Sequence, residues 1–398
     1  MKHLAALARR FGTPLYVYSA DTVRRRYRAL HGAFTRPALV CYALKANSSR
    51  AVAAVLAREG AGADIVSGGE LRRALSAGFR PERIVFSGVG KTEEEMAAGL
   101  RVAVKAFNVE SSEELEALAR VAGRLKKTAP VSIRLNPDIN AKTHPHITTG
   151  RAENKFGVET AEAMALYGRA SRDRRLRVTG VSCHIGSQIT SLRPYRRAAA
   201  AVAGLAASLK AQGIPLDFAD LGGGLGITYE DETPLDPRAL VKTLEAAFAD
   251  QPELEILVEP GRYLVADAGL LLTKVLYRKQ TTKRRFVIVD AAMTDMPRPA
   301  LYDAWHPVEA VSSRRGKKII VDVVGPVCES GDFLARQRRL PPLERGDLLA
   351  VLKAGAYGFA MSSQYNSRPR AAEVIVDGGK ARLARRRETD KDLTRGEL

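Results

Sequence analysis

Four short stretches of the chain set a chemistry-bearing side chain directly behind an apolar run. The first, Tyr42-Ala-Leu-Lys45-Ala-Asn47, closes its run on a lysine. An amine desolvated in such a place is a nucleophile able to form a Schiff base with a carbonyl, although a strand-end lysine snorkelling to solvent is the commoner occurrence. The second, His184-Ile-Gly-Ser-Gln188, follows a histidine with a glycine and a hydroxyl. A lone histidine is more often structural than catalytic, but this neighbourhood suggests a crowded ligand site. The third, Asp220-Leu-Gly-Gly-Gly-Leu-Gly226, strings glycines together, which frees backbone amides to approach a phosphate. The fourth, Glu259-Pro-Gly-Arg262, offers a carboxylate that needs a cationic partner. A structural salt bridge would satisfy it, and so would the protonated nitrogen of a pyridine ring.

The elements that must position these groups follow from the hydropathy pattern. Eight β-rich apolar runs are predicted as strands: Leu39–Leu44, Ala63–Val66, Arg83–Phe86, Lys105–Val109, Val131–Leu135, Val178–His184, Asp217–Leu221 and Glu255–Val258. Helical patterns alternate with them. Capping boxes at Ser67-x-x-Glu70, Thr92-x-x-Glu95 and Ser111-x-x-Glu114 mark helix starts just behind three of the runs. Eight such units in about 240 residues match a (β/α)8 barrel, with a doubly wound sheet as the alternative. All four stretches then fall at C-terminal strand ends, where barrel active sites are built. The alanine-rich run Ala198–Leu209 reads as a buried helix. Beyond Leu271 the rhythm changes to alternating segments, Arg285–Asp290, Lys318–Val324, Asp347–Lys353 and Ala372–Val376, which read as an all-β domain. Pro14–Tyr18 alternates too and is expected to join that sheet. The division expected is a barrel over 20–272 and a β domain over 273–398, joined by the N-terminal segment 1–19.

The 398 residues suffice for two domains, and 45% hydrophobic content can fill their cores. No run approaches the ~18 apolar residues of a membrane span, and the N-terminal apolar run is too short for a signal peptide, so a cytoplasmic protein without membrane partners is expected. Three cysteines make no disulfide framework, and Cys41 and Cys183 sit in apolar runs as core residues. The net charge of +19 raises nucleic-acid binding. The basic residues are scattered, however, through Arg24–Arg26, Arg172–Arg177, Arg278–Arg285, Arg314–Lys318, Arg336–Arg339 and Arg385–Arg387, without interleaved aromatics or a nucleic-acid motif. Solvated surface is the expected reading, with no nucleic-acid partner and no metal.

A Schiff-base lysine, a ring-facing histidine, a phosphate cradle and a ring-nitrogen carboxylate are together the requirements of pyridoxal phosphate (PLP). Over nearly its whole length, from Thr13–Tyr18 to Arg385–Thr389, the chain resembles the fold-type III PLP decarboxylases, and among them the diaminopimelate decarboxylases. Beside the four stretches, the matching segments are Lys142-Thr-His144, Glu153-Asn-Lys-Phe-Gly157, Asp295 with Arg298–Tyr302, Asp303–Pro307, Gly325–Asp332 and Gly355–Tyr357. The resemblance implies that Lys45 carries PLP as a Schiff base and His184 stacks on its ring. It implies that Glu259 binds the ring nitrogen, and that Ser187, Gly223, Gly261, Arg262 and Tyr357 hold the phosphate. Arg262, Arg298, Tyr302 and Tyr357 would bind substrate, chiefly its distal carboxylate. Glu329 would read the distal ammonium, and Cys328, as general acid, would return a proton to the reacting carbon. Cys328 and Glu329 would reach the site from the neighbouring subunit of a homodimer. The implied reaction is decarboxylation of meso-2,6-diaminopimelate to L-lysine, the last step of lysine biosynthesis. Ornithine decarboxylases place an aspartate after the cysteine, and a diamino-acid substrate has no distal carboxylate for Arg298 and Tyr302. Decarboxylation of ornithine, lysine or arginine on the same fold is the alternative, followed by a PLP carrier without activity. The chain departs from the family at Asp290-Ala-Ala-Met293, where glycine usually precedes the methionine, and at Met296.

Overall fold

In a computed structural model, which describes residues 2–139, 154–311 and 316–398, the apolar runs close on themselves. After an N-terminal strand β1 (Leu15–Ser19), the strands β2 (Ala38–Ala43), β3 (Gly62–Ile65), β4 (Ile84–Phe86), β5 (Ala106–Val109), β6 (Ala129–Leu135), β7 (Leu176–Cys183), β8 (Phe218–Asp220) and β9 (Glu255–Val258) form a closed parallel barrel. Pairing of β2 with β9, Ala38 opposite Ile256, shuts the ring and excludes the doubly wound sheet. Strands covered on both faces have no solvent side to alternate towards, which is why they read as continuous apolar runs. Leu39, Cys41, Val85, Ala106, Phe218 and Leu257 pack together in one cluster. A Cβ on Gly180 of β7 would stand 2.3 Å from the Phe218 ring, so only glycine lets that ring lie flat there. The alanine-rich run lies in the helix Leu192–Ala211, with Ala198, Val202, Leu205 and Leu209 buried.

The helix starts confirm the caps and refine one detail. Ser67, Thr92 and Ser111 each accept from the backbone three residues on. Only Glu95 returns the bond to its own cap, Thr92. Glu70 and Glu114 reach one residue further, to the N–H groups of Val66 and Glu110 at 2.8 and 2.9 Å, and so pin the last residue of the preceding loop. Behind β4, the fully buried Lys91 ammonium pairs with Glu114 at 2.7 Å and donates to the carbonyls of Gly88 and Asn108.

The second architecture is a sheet. Among the described residues it holds nine strands: β1, then β10 (Gly269–Gln280), β11 (Arg285–Val289), β12 (Val308–Ala310), β13 (Ile319–Val324), β14 (Phe333–Leu340), β15 (Leu348–Val351), β16 (Ala372–Asp377) and β17 (Lys380–Arg385). The N-terminal strand lies between β10, antiparallel, and β16, parallel, with Leu15 opposite both Leu272 and Ala372. Leu7, Leu15, Val17, Leu272, Val311, Ala350, Ala372 and Val374 form the core there. Strands β10, β12, β14 and β17 go beyond the alternating segments read from sequence. The β14 sequence FLARQRRL and the β17 sequence KARLAR carry arginines on exposed positions, which hides the alternation.

The chain thus forms two compact units. One comprises Arg24–Ile227 and Thr233–Leu264 and holds the barrel; the other comprises Met1–Val23, Thr228–Glu232 and Val265–Leu398 and holds the sheet. Among the described residues no helix is long and apolar enough to cross a membrane. Lys142–His144, Glu153, Arg314 and Arg315 lie outside the described residues.

Removing one partner of a buried ion pair strands the other charge. Lys91→Met is expected to lower the unfolding free energy by about 3 kcal/mol, read from urea denaturation, and a loss below ~1 kcal/mol would show that Glu114 finds another cation or a proton at little cost.

Candidate active site

The barrel unit gathers the four stretches at the C-terminal ends of its strands. Lys45 follows β2, and its ammonium lies 2.8 Å from Asp64 Oδ2, a buried carboxylate near the end of β3. Around them stand Asn108 of β5, Asp220 of β8 and Glu259, the residue after β9, all buried. The Asn108 amide donates to Ser87 Oγ at 3.1 Å, with longer contacts of 3.5 and 3.4 Å to Asp220 and Glu259. Burial pushes the Glu259 carboxyl well above the usual carboxylate range; Asp220 and Asp64 push it further, and Lys45 opposes them. Asp220 is raised as well, by burial first. Asp64 takes the ammonium, while Glu259 and Asp220 hydrogen-bond to each other, which needs a proton shared between them; that proton stands where a cation could stand.

A cavity of about 170 Å3 opens among these side chains, walled by Lys45, Ser87, Asn108, Arg134, Phe156, His184 and Glu259. His184 follows β7, and its Nδ1 accepts the Gly223 N–H at 3.0 Å. Burial, then the Lys45 and Arg134 charges, hold the imidazole well below its usual pKa. The ring is therefore neutral, and its proton sits on Nε2. Arg134 pairs with Glu110 at 3.0 Å and lies over the Phe156 ring at 4.9 Å.

The glycine run behind β8 has no room for side chains. A Cβ on Gly223 would lie 2.2 Å from Glu259 O, and one on Gly224, at φ +100, 2.6 Å from Gly186 O. A Cβ on Gly261 would meet Ala46 Cβ at 2.9 Å. Ser187 Oγ accepts from the buried Arg262 guanidinium at 3.1 Å. The structure therefore brings together Lys45, His184, Ser187, Gly223, Glu259, Gly261 and Arg262. The Gly223 amide, expected to face a phosphate, is donated to His184.

The remaining expected residues belong to the sheet unit. Arg298 and Tyr302 bound one short helix, Arg298–Tyr302; Cys328 and Glu329 are exposed on the turn between β13 and β14; Tyr357 adopts φ +58. The turn is tightly held. The buried Asp332 carboxylate accepts from the N–H groups of Met293 at 2.6 Å and Val327 at 2.7 Å, and Asn366 Oδ1 accepts from Cys328 N–H at 2.8 Å. Sequence reasoning assigned no role to Asp64, Asn108, Asp220 or Arg134. A signal existed: each is polar inside an otherwise apolar strand of a barrel.

These residues fit pyridoxal phosphate. The lysine suits its carbonyl, a pyridinium N–H would suit the Glu259 carboxyl, the neutral histidine is a flat wall, and the glycines open backbone to a phosphate. Asp64 Oδ1, Asn108 Oδ1 and Ser182 Oγ, all buried near the cavity, have no hydrogen-bond partner among the described residues.

Known proteins give the same picture. The family described as pyridoxal-dependent decarboxylase, pyridoxal binding domain, matches residues 20–266. The diaminopimelate decarboxylase of Pseudomonas aeruginosa is 53% identical over 395 residues, covering 99% of this chain and 95% of that protein. That of Aquifex aeolicus is 48% identical, covering 97% and 91%. The crystal structure of diaminopimelate decarboxylase from Helicobacter pylori complexed with L-lysine superposes with a TM-score of 0.96 at 44% identity, covering 98% of each chain.

Lys45→Ala is expected to abolish both turnover and the visible absorbance of a lysine-bound cofactor. Wild-type absorbance after removal of free cofactor would take Lys45 out of this role.

Proposed function

From the premise that the chain belongs to the diaminopimelate decarboxylase family of PLP-dependent decarboxylases, we propose how its residues divide the work. The enzyme is a PLP-dependent carboxy-lyase that converts meso-diaminopimelate to L-lysine and carbon dioxide. The observation that carries the reading is the cavity that Lys45 and the buried Glu259 line together. The bound cofactor supplies an electron-withdrawing ring that accepts the electron pair left by the departing carboxylate.

The side chains do the rest. Lys45 would hold the cofactor through its amine. Glu259 would hold the ring nitrogen with its proton, with Asp220 beside it. His184 walls the ring. Its neutrality avoids a further positive charge beside Lys45 and Arg134. Ser187, Gly261, Arg262 and Tyr357 hold the phosphate, while the Gly223 N–H serves His184 instead, and the Ser187–Arg262 contact at 3.1 Å supports those two acting together. Arg262, Arg298, Tyr302 and Tyr357 bind substrate, with Arg298 and Tyr302 on its distal carboxylate and Glu329 on its distal ammonium. Cys328 delivers a proton to the carbon that lost carbon dioxide.

Cys328 and Glu329 serve the site of a neighbouring copy in a homodimer. Their exposure on a turn held rigid by Asp332 and Asn366 supports this reading. Unpaired thiols at Cys41, Cys183 and Cys328 support a reducing, cytoplasmic location.

With purified, PLP-loaded protein, lysine and carbon dioxide are expected in equal amounts from meso-diaminopimelate. Ornithine, lysine and arginine should give little carbon dioxide; comparable turnover of any of them would overturn the distal-carboxylate assignment. Subunit sharing is open to complementation. Lys45→Ala and Cys328→Ala proteins, each nearly inactive alone, should recover about one quarter of wild-type activity when their subunits are exchanged in equal amounts, because half the dimers then carry one intact site. No recovery despite demonstrated exchange would confine each site to one chain.

A further inference from the structure

We propose that His306 is a positioning residue for substrate specificity, holding Arg298 ready for the distal carboxylate by accepting a hydrogen bond from it. The inference rests on the reading of Arg298 given above. His306 is fully buried. Its Nδ1 lies 2.9 Å from the carbonyl oxygen of Leu352. A carbonyl can only accept, so the ring proton is on Nδ1, and Nε2 presents a lone pair. That lone pair faces Arg298 Nη1 at 2.7 Å, and an arginine N–H can only donate. The tautomer is thus fixed by one partner for the benefit of the other.

Tyr229 completes the mount. The Arg298 guanidinium lies over its ring at 4.6 Å, and the ring meets the imidazole edge-on, with centroids 5.1 Å apart. The donor–acceptor bond and the cation–π contact fix both the position and the plane of the guanidinium. Neither neutralises its charge, as a carboxylate in the place of His306 would. A guanidinium set in plane is what two-point recognition of a carboxylate requires. The sheet supplies the precision. Val308 of β12 pairs with Val351 of β15, and Leu352 N–H donates to Pro307 O at 2.8 Å. The carbonyl that fixes the tautomer is therefore tied to the residue next to His306.

The test uses two substitutions that split the functions of the ring. His306→Asn places an amide near Leu352 O but removes the acceptor for Arg298, whereas His306→Gln can restore an acceptor near the former Nε2. On PLP-loaded protein, calorimetry gives the dissociation constants of L-lysine, which keeps the distal amino-acid end of the substrate, and of pentane-1,5-diamine, which lacks any carboxylate. His306→Asn is expected to weaken lysine about tenfold, the scale of one lost hydrogen bond to a charged group. It should raise the KM for meso-diaminopimelate by a similar factor with a smaller effect on kcat, and leave diamine binding unchanged. His306→Gln should recover most of the loss. Unchanged lysine binding in His306→Asn, or equal weakening of lysine and diamine, would overturn the proposal. Arg298→Gln is measured alongside. If it leaves lysine binding intact, the Arg298 assignment itself falls; if it alone weakens lysine, only the part given to His306 falls.

Discussion

Burial of Asp64, Asp220 and Glu259 around a single lysine ammonium is the constraint on which the barrel mouth depends. Taking a carboxylate out of water costs several kcal/mol unless a partner compensates. The Lys45 ammonium compensates Asp64, and a proton shared by Asp220 and Glu259 compensates that pair. Nearby buried charges are balanced by ion pairs: Lys91 with Glu114, and Arg134, on the cavity wall, with Glu110. A cationic ring in the cavity would take the place of the proton that Asp220 and Glu259 share. Affinity for the cofactor and its electron-withdrawing state then have one origin, because the carboxylates that demand a cation also keep the ring protonated.

Two histidines, one in each unit, are used the same way. His184 accepts from the Gly223 amide and is held neutral by burial and nearby cations; His306 accepts from Arg298 while a carbonyl fixes its proton. Each is read best as an oriented acceptor with a predetermined tautomer. A lone histidine in a sequence does not disclose this, since the partner that sets the tautomer comes from elsewhere in the chain: residue 223 for one, residue 352 for the other.

Much of the architecture was legible because parallel strands covered on both faces must be apolar, and because Ser67, Thr92 and Ser111 announce helix starts. The barrel end of the site was legible because Lys45, His184, the glycine run and Glu259 each break an apolar run at its C-terminal end. Strands β14 and β17 were not, since arginines on exposed positions erase the period of two. Tyr229 was not either. It lies in Thr228–Glu232, a segment that leaves the barrel's own stretch of chain to join the sheet unit, and no local pattern encodes such a transfer. Asp64 and Asn108 were visible as polar residues in apolar strands, but their meaning depends on three-dimensional closure of the ring.

The place of β1 carries a consequence for biosynthesis. Leu15–Ser19 leaves the ribosome well before both its neighbours, β10 and β16, and Ala372 opposite Leu15 is made far later. Closing so long a loop is entropically slow but costs little more than closing a moderate one. The barrel strands are all translated before either partner exists. A nascent chain therefore carries an unpaired, aggregation-competent strand throughout synthesis of the barrel, and chaperone attention should fall on Leu15–Ser19.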